Sequence, residues 1–195
     1  MILVQNMKYL LFFIFLLAQF AYAELFINEV MYDPAGSDNN KEYVELFTDI
    51  NISGFIIEDL ASSDILKLVK STQSNYSLIV EDDFNFSNIE ANIYAVGATI
   101  GNNLNNDRDI IVIKDPNGKI IDVLSYTEQF GANGNGNSLC RNPNRFGPFK
   151  ECAPTPGLSN EIGQSFNLKI TELMPDPMGD DDAPLPNGEW IEIYN

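Results

Sequence analysis

Residues 109–126 read DIIVIKDPNGKIIDVLSY. Two runs rich in Ile and Val flank the tetrapeptide Asp115-Pro116-Asn117-Gly118. Pro presets φ at the first corner of a turn, and Asn-Gly tolerates the positive φ that follows. β-Branched side chains suit a pleated, half-buried surface, so the stretch predicts two strands, 109–115 and 119–126, joined as a hairpin. Working outward, the same composition recurs in LFINEVM (25–31), EYVELF (42–47), ISGFIIED (52–59), YSLIVED (76–82) and NIYAVGA (92–98). Residues 65–69, ILKLV, fit a strand or a helical turn equally well. GANGNGN (131–137) predicts a flexible loop that no core requires. Many short strands with turn residues between them predict an all-β fold, a β-sandwich.

Composition narrows the function. The chain has 195 residues, 28 acidic and 11 basic, with no histidine and two cysteines. Without His there is no Ser-His-Asp or Cys-His catalysis and no histidine-bound zinc. Two cysteines are too few for a thiolate zinc site or an iron–sulfur cluster. The formal charge of −17 repels phosphate backbones, so direct nucleic-acid binding is not expected. At 45% hydrophobic the chain is too apolar for a disordered acidic tail.

Lys8 precedes an apolar run, YLLFFIFLLAQFAYA (9–23), that ends in Ala21-Tyr22-Ala23. This pattern predicts a signal peptide, residues 1–23, cut before Glu24, and Met7 is the expected start codon. The run is short of the roughly 20 apolar residues of a bilayer span, so no stable anchor is expected after cleavage. Loss of Lys8 with the leader leaves 10 basic against 28 acidic residues, a charge of −18. In an oxidising compartment the even pair Cys140 and Cys152 is expected to form a disulfide. A loop of that size is worth about 3 kcal/mol in the chain-entropy model.

An internal repeat organises the rest. INEVMYDPAGSD (27–38) followed by EYVEL (42–46) returns as ITELMPDPMGDD (170–181) followed by EWIEI (189–193), with a loop longer by four residues. The expected organisation is a domain at 24–160, a polar linker at 161–167, and the truncated start of a second repeat at 168–195. Two strands cannot bury a core alone.

The ordered set INEVMYDP (27–34), EYVEL (42–46), ISGFIIED (52–59) and RDIIVIKDPNGKIIDVLSY (108–126) resembles the lamin tail domain family. NSLCR (137–141) and PTPGLSN (154–160) resemble the closing signature of its secreted prokaryotic members. The resemblance implies an immunoglobulin-like antiparallel β-sandwich serving as a secreted or cell-surface accessory module. Phe55 stands where a tryptophan is often found in the family's S-G-W strand motif. Nuclear members use the domain to contact proteins and DNA, and the DNA role does not carry onto a chain this acidic.

Three groups of residues are candidate sites. Asp33, Asp38 and Glu42, echoed by Asp176, Asp180, Asp181, Asp182 and Glu189, could hold calcium through clustered oxygens. Equally, Asp33-Pro34 with Gly36 and Asp38 could simply build a turn. Glu29 and Glu45, echoed by Glu172 and Glu192, sit in apolar strands. Strand alternation predicts them outward on a half-solvated sheet rather than as a glycosidase pair. Asn51, Asn75 and Asn85 begin N-x-S triplets and are glycosylation candidates, with Asn51 and Asn85 nearest turns. Arg141, Arg145 and Lys150 form a small basic cluster near the disulfide. These features predict an exported, non-catalytic interaction or structural module of the cell surface. Calcium is a possible cofactor, and the partner is a protein or glycan of the envelope. The alternatives are an accessory domain of a hydrolase or nuclease whose catalytic part lies beyond residue 195, and a surface-layer spacer.

Overall fold

The computed structural model describes residues 24–160, 169–180, 183–184 and 187–194. The expected signal peptide (1–23) and linker (161–167) lie outside the described residues. The chain divides into two compact units, 1–160 and 161–195.

The first unit contains β1 (Leu25–Met31), β2 (Tyr43–Thr48), β3 (Ile56–Glu58), β4 (Ser63–Ile65), β5 (Lys67–Lys70) and β6 (Tyr76–Val80). β7 (Asn92–Ala95), β8 (Arg108–Lys114), β9 (Ile120–Thr127), β10 (Ser138–Arg141) and β11 (Phe149–Cys152) follow. Seven form one sheet in the order β11-β10-β1-β2-β6-β7-β5, and four form a second, β4-β3-β8-β9. Ile27, Val44, Leu46 and Ile79 of the first sheet pack in one core with Ile57, Ile111, Ile113 and Tyr126 of the second. Each such buried aliphatic side chain contributes about 1.5–3 kcal/mol. The result is an immunoglobulin-like β-sandwich with no α-helix among the described residues.

The 109–126 hairpin forms as its turn residues dictate. Gly118 takes φ +83°. Its N–H donates to Asp115 O at 2.9 Å, and Asp115 Oδ1 accepts from the N–H groups of Asn117 and Lys119 at 2.8 and 2.9 Å.

Pairing is antiparallel throughout the first unit except between β6 and β7, which run parallel. The crossover between those two strands lays Phe84, Phe86 and Ile89 over Met31, Tyr43, Leu78 and Val80, a second apolar cluster on the outer face of the larger sheet. Covered on both faces, β6 reads as a continuous apolar run rather than an alternating one.

Three expectations are corrected. ISGFIIED is strand only at 56–58, because Phe55 N–H donates to Ile52 O and Gly54, at φ +83°, makes a turn before it. The ambiguous ILKLV segment is neither one strand nor a helical turn: β4 and β5 belong to different sheets, and buried Leu66 marks the switch. The GANGNGN loop is pinned rather than free. Ala132 is buried in the core, Gly134 N–H donates to Asp33 O at 3.1 Å, and Asn135 donates to Glu151 at 2.8 Å. β10 and β11, not anticipated as strands, follow it, and the Cys140–Cys152 disulfide links them.

The second unit is a two-stranded antiparallel ribbon, β12 (Lys169–Met174) and β13 (Trp190–Tyr194). Its register repeats that of β1–β2 in detail. In the first unit Ile27 pairs with Leu46 and Glu29 with Glu45, so Asn28 is the extra residue of a β-bulge. In the second, Ile170 pairs with Ile193 and Glu172 with Glu192, and Thr171 takes the bulge position.

Candidate functional site

The bulge at Asn28 resets the alternation of β1. Ile27 and Val30 enter the core on one side of it, and Glu29 is left on the outer face beside Tyr43 and Glu45. Alternation thus assigned Glu29 and Glu45 to the correct face, but both are fully buried, not solvated. The cover is the closing PTPGLSN segment. Thr155 donates from its N–H and Oγ1 to Glu29, at 2.9 and 2.6 Å, and Gly157 N–H donates to Glu45 Oε2 at 2.6 Å. Ser138 Oγ donates to Glu29 at 2.6 Å, and the Tyr43 hydroxyl also donates to Glu29. Asn28 Nδ2 donates to Glu45 Oε1 at 2.9 Å. Asn160 Nδ2 then ties the segment to the carbonyls of Asn28 and Arg141, each at 3.0 Å.

Burial and the facing Glu29 push the Glu45 carboxyl up to about 8. Burial, with Glu29 alongside, raises the Tyr43 hydroxyl well above its ordinary range. A glycosidase pair must meet its substrate. These two acids are sealed from solvent and act as the structural clasp of the closing segment. The sequence offered one unread signal for the clasp: two glutamates at successive strand positions that face each other, with a Thr- and Asn-bearing segment after the last strand.

Asp33, Asp38 and Glu42 do not come together as a calcium set. Among the described residues no three acidic or cysteine side chains group closely enough to hold a metal ion. Burial and the neighbouring Asp38 raise the Asp33 carboxyl. Asp38 Oδ2 accepts from Asn106 Nδ2 at 3.3 Å. Glu42 turns inward, fully buried, with Oε2 accepting the Leu104 N–H at 3.3 Å. In the second unit Asp176, Asp180 and Glu189 are exposed, and Asp181 and Asp182 lie outside the described residues.

The three sequon asparagines are exposed. Asn51 and Asn85 close short Asx turns onto Ser53 and Ser87. Ser77 of the third triplet is fully buried in β6, so the Asn75 triplet is the least open of the three.

The basic cluster divides. Arg141 turns inward, donating to Ile27 O at 2.7 Å and pairing with Asp122 at 3.4 Å, while it lies over Phe149. Arg145, also half-buried, instead sets its guanidinium over two rings, Phe47 at 4.6 Å and Phe146 at 5.0 Å. Phe26 meets Phe146 edge-on at 5.8 Å, and Phe47 meets Tyr76 at 5.3 Å. Phe146 is 63% exposed. Arg145 itself has φ +71°, and its N–H is held by Asn28 Oδ1 at 3.0 Å. A bulky residue in that conformation is strained. Among the described residues the ion pairs are Lys114–Glu58 and Arg141–Asp122, so the Arg145 charge is balanced by aromatic faces and not by a carboxylate. No sequence spacing marked this patch, since its aromatics come from β1, β2, β6 and the loop before β11.

Among curated proteins and solved structures nothing matches the chain. The family model for the Lamin Tail Domain matches residues 18–128, more than half of the length. That family is one of non-catalytic, immunoglobulin-like interaction domains. The matched stretch ends before β10, β11 and the closing segment, although β10 completes the sheet beside β1. With its strands, core and hairpin arranged in this way, the chain belongs to the lamin tail domain family.

Proposed function

We propose that this protein is an exported, non-catalytic interaction module of the cell surface that engages an envelope protein or glycan through the Arg145 patch. One observation carries the reading: a cation fixed between aromatic faces, with Phe146 largely exposed, on a chain of charge −17. Aromatic and arginine side chains dominate binding hot spots because they combine apolar area with directed hydrogen-bond donors. The signal-peptide pattern at 1–23 supports export, and the Cys140–Cys152 bridge suits an oxidising compartment.

The second unit is read as the opening of another copy of the same domain. Its bulge repeats that of the first, and Thr171 Oγ1 donates to Glu192 Oε1 at 2.5 Å as Asn28 donates to Glu45. Ile170, Leu173, Ile191 and Ile193, each more than half exposed, stand where Ile27, Val30, Val44 and Leu46 are fully buried. The ribbon therefore carries the core face of a sandwich.

The test is capture from envelope material by purified residues 24–160, wild type against R145A and F146A. Retention of a defined species by wild type and its loss in both variants supports the reading. Equal capture by all three proteins, or none by wild type, overturns it. N-terminal sequencing of the secreted protein should begin at Glu24.

A further inference from the structure

A second pair of acids closes one end of the sandwich. β2 and β6 pair with Tyr43 opposite Val80 and Val44 opposite Ile79. The ladder ends at that first pair, and Glu42 and Glu81 are the next residues beyond it on the two chains. Glu42 is fully buried and Glu81 is 2% exposed. One oxygen of Glu42 is held by the Leu104 N–H, and the N–H groups of Asn40 and Lys41 stabilise charge on Glu81. The remaining oxygens, Glu42 Oε1 and Glu81 Oε2, are buried without a hydrogen-bond partner.

Burial pushes the Glu42 carboxyl up to about 8, and Glu81 lies close enough to add to the shift, as do two acids outside the pair, Asp38 and Asp109. The ammonium of Lys41, the residue before Glu42, is engaged elsewhere, donating to Ala35 O at 3.2 Å. A buried carboxyl oxygen with no partner costs free energy whether or not the group is charged, and charging it beside other acids costs more. A bound cation removes both penalties.

We propose that Glu42 and Glu81 form a binding site for a hard divalent cation of the calcium class. This ligand set differs from the Asp33, Asp38 and Glu42 triad expected from the sequence. Only two acids serve as direct ligands, which agrees with the absence of any closer three-acid group among the described residues. The two carboxyls supply one unpartnered oxygen each, Glu42 Oε1 and Glu81 Oε2. Calcium takes about six to eight, so main-chain carbonyls and water complete the shell. Magnesium, which demands a near-ideal octahedron and sheds water reluctantly, suits a paired-carboxylate site less well. Loading expels whatever proton the pair holds, so affinity rises with pH. The inference stands independently of the Arg145 surface.

The test uses the full secreted chain, stripped with chelator and titrated calorimetrically with calcium and separately with magnesium. The expected result is one calcium site, with a higher melting temperature on loading. E81Q and E42Q should each weaken calcium binding at least tenfold, while D33N leaves it unchanged. Absence of calcium heat in wild type at millimolar calcium overturns the proposal, as does wild-type affinity in E81Q. Loss of binding in D33N alone also overturns it by moving the site. If a glutamine variant fails to fold, terbium luminescence excited through Tyr126, whose hydroxyl is raised in part by Glu42, reads the wild type directly. Sensitised emission displaced by calcium supports the site, and no emission overturns it.

Discussion

Asn28 is the residue on which the outer face of β1 turns. As the extra residue of the bulge it donates to Glu45 and to Asn144 and accepts from Arg145, so one side chain joins the buried clasp to the surface patch. Thr155 is the matching contact on the closing segment. T155A removes the hydroxyl from Glu29 and leaves a buried carboxylate oxygen short of a donor. It should cost about 1–3 kcal/mol, read from urea unfolding. Glu42 and Glu45 titrate far above the ordinary carboxyl value of 4.5. Between that value and about 8 the folded protein holds protons that the unfolded chain has released. The stability these groups confer is therefore complete below about 4.5 and is lost as pH rises through about 8. In calcium-free buffer the urea midpoint should fall between about pH 6 and about pH 9, and E45Q should flatten that fall.

At the scale of elements, the 115–118 turn was legible because its requirement is local. Gly118 sits at φ +83° with open space around the position of a Cβ. G118A should therefore cost about 1 kcal/mol through backbone strain alone, with the β8–β9 pairing intact by circular dichroism. The disulfide was legible from the even cysteine count together with the export that the leader pattern predicts. The C140A/C152A double variant should lose about 3 kcal/mol, the chain-entropy value for a bridge spanning 12 residues. β10 and β11 were not legible. Four residues each, they lie among Asn, Gly and Pro; β10 pairs with β1, more than 100 residues away in sequence, and β11 pairs with β10. The 65–69 segment failed for a related reason: a strand that changes sheets at Leu66 shows neither a two-residue nor a helical period.

At the scale of the molecule, both apolar clusters are built from residues of the first unit, from Leu25 to Phe149. Residues 24–160 alone should give a single cooperative thermal transition, and a non-cooperative melt would contradict the boundary. The sequence by itself determined the β-sandwich, the β8–β9 hairpin and the face to which Glu29 and Glu45 belong. Those features depend on turn chemistry, side-chain period and near neighbours along the chain. Only the tertiary structure decided that the face carrying those glutamates is covered, that Glu42 and Glu81 are both buried within reach of each other, and that Arg145 rests on rings from two separate segments. Burial depends on what a distant part of the chain lays over a strand, and alternation records the side a residue takes but not what covers it.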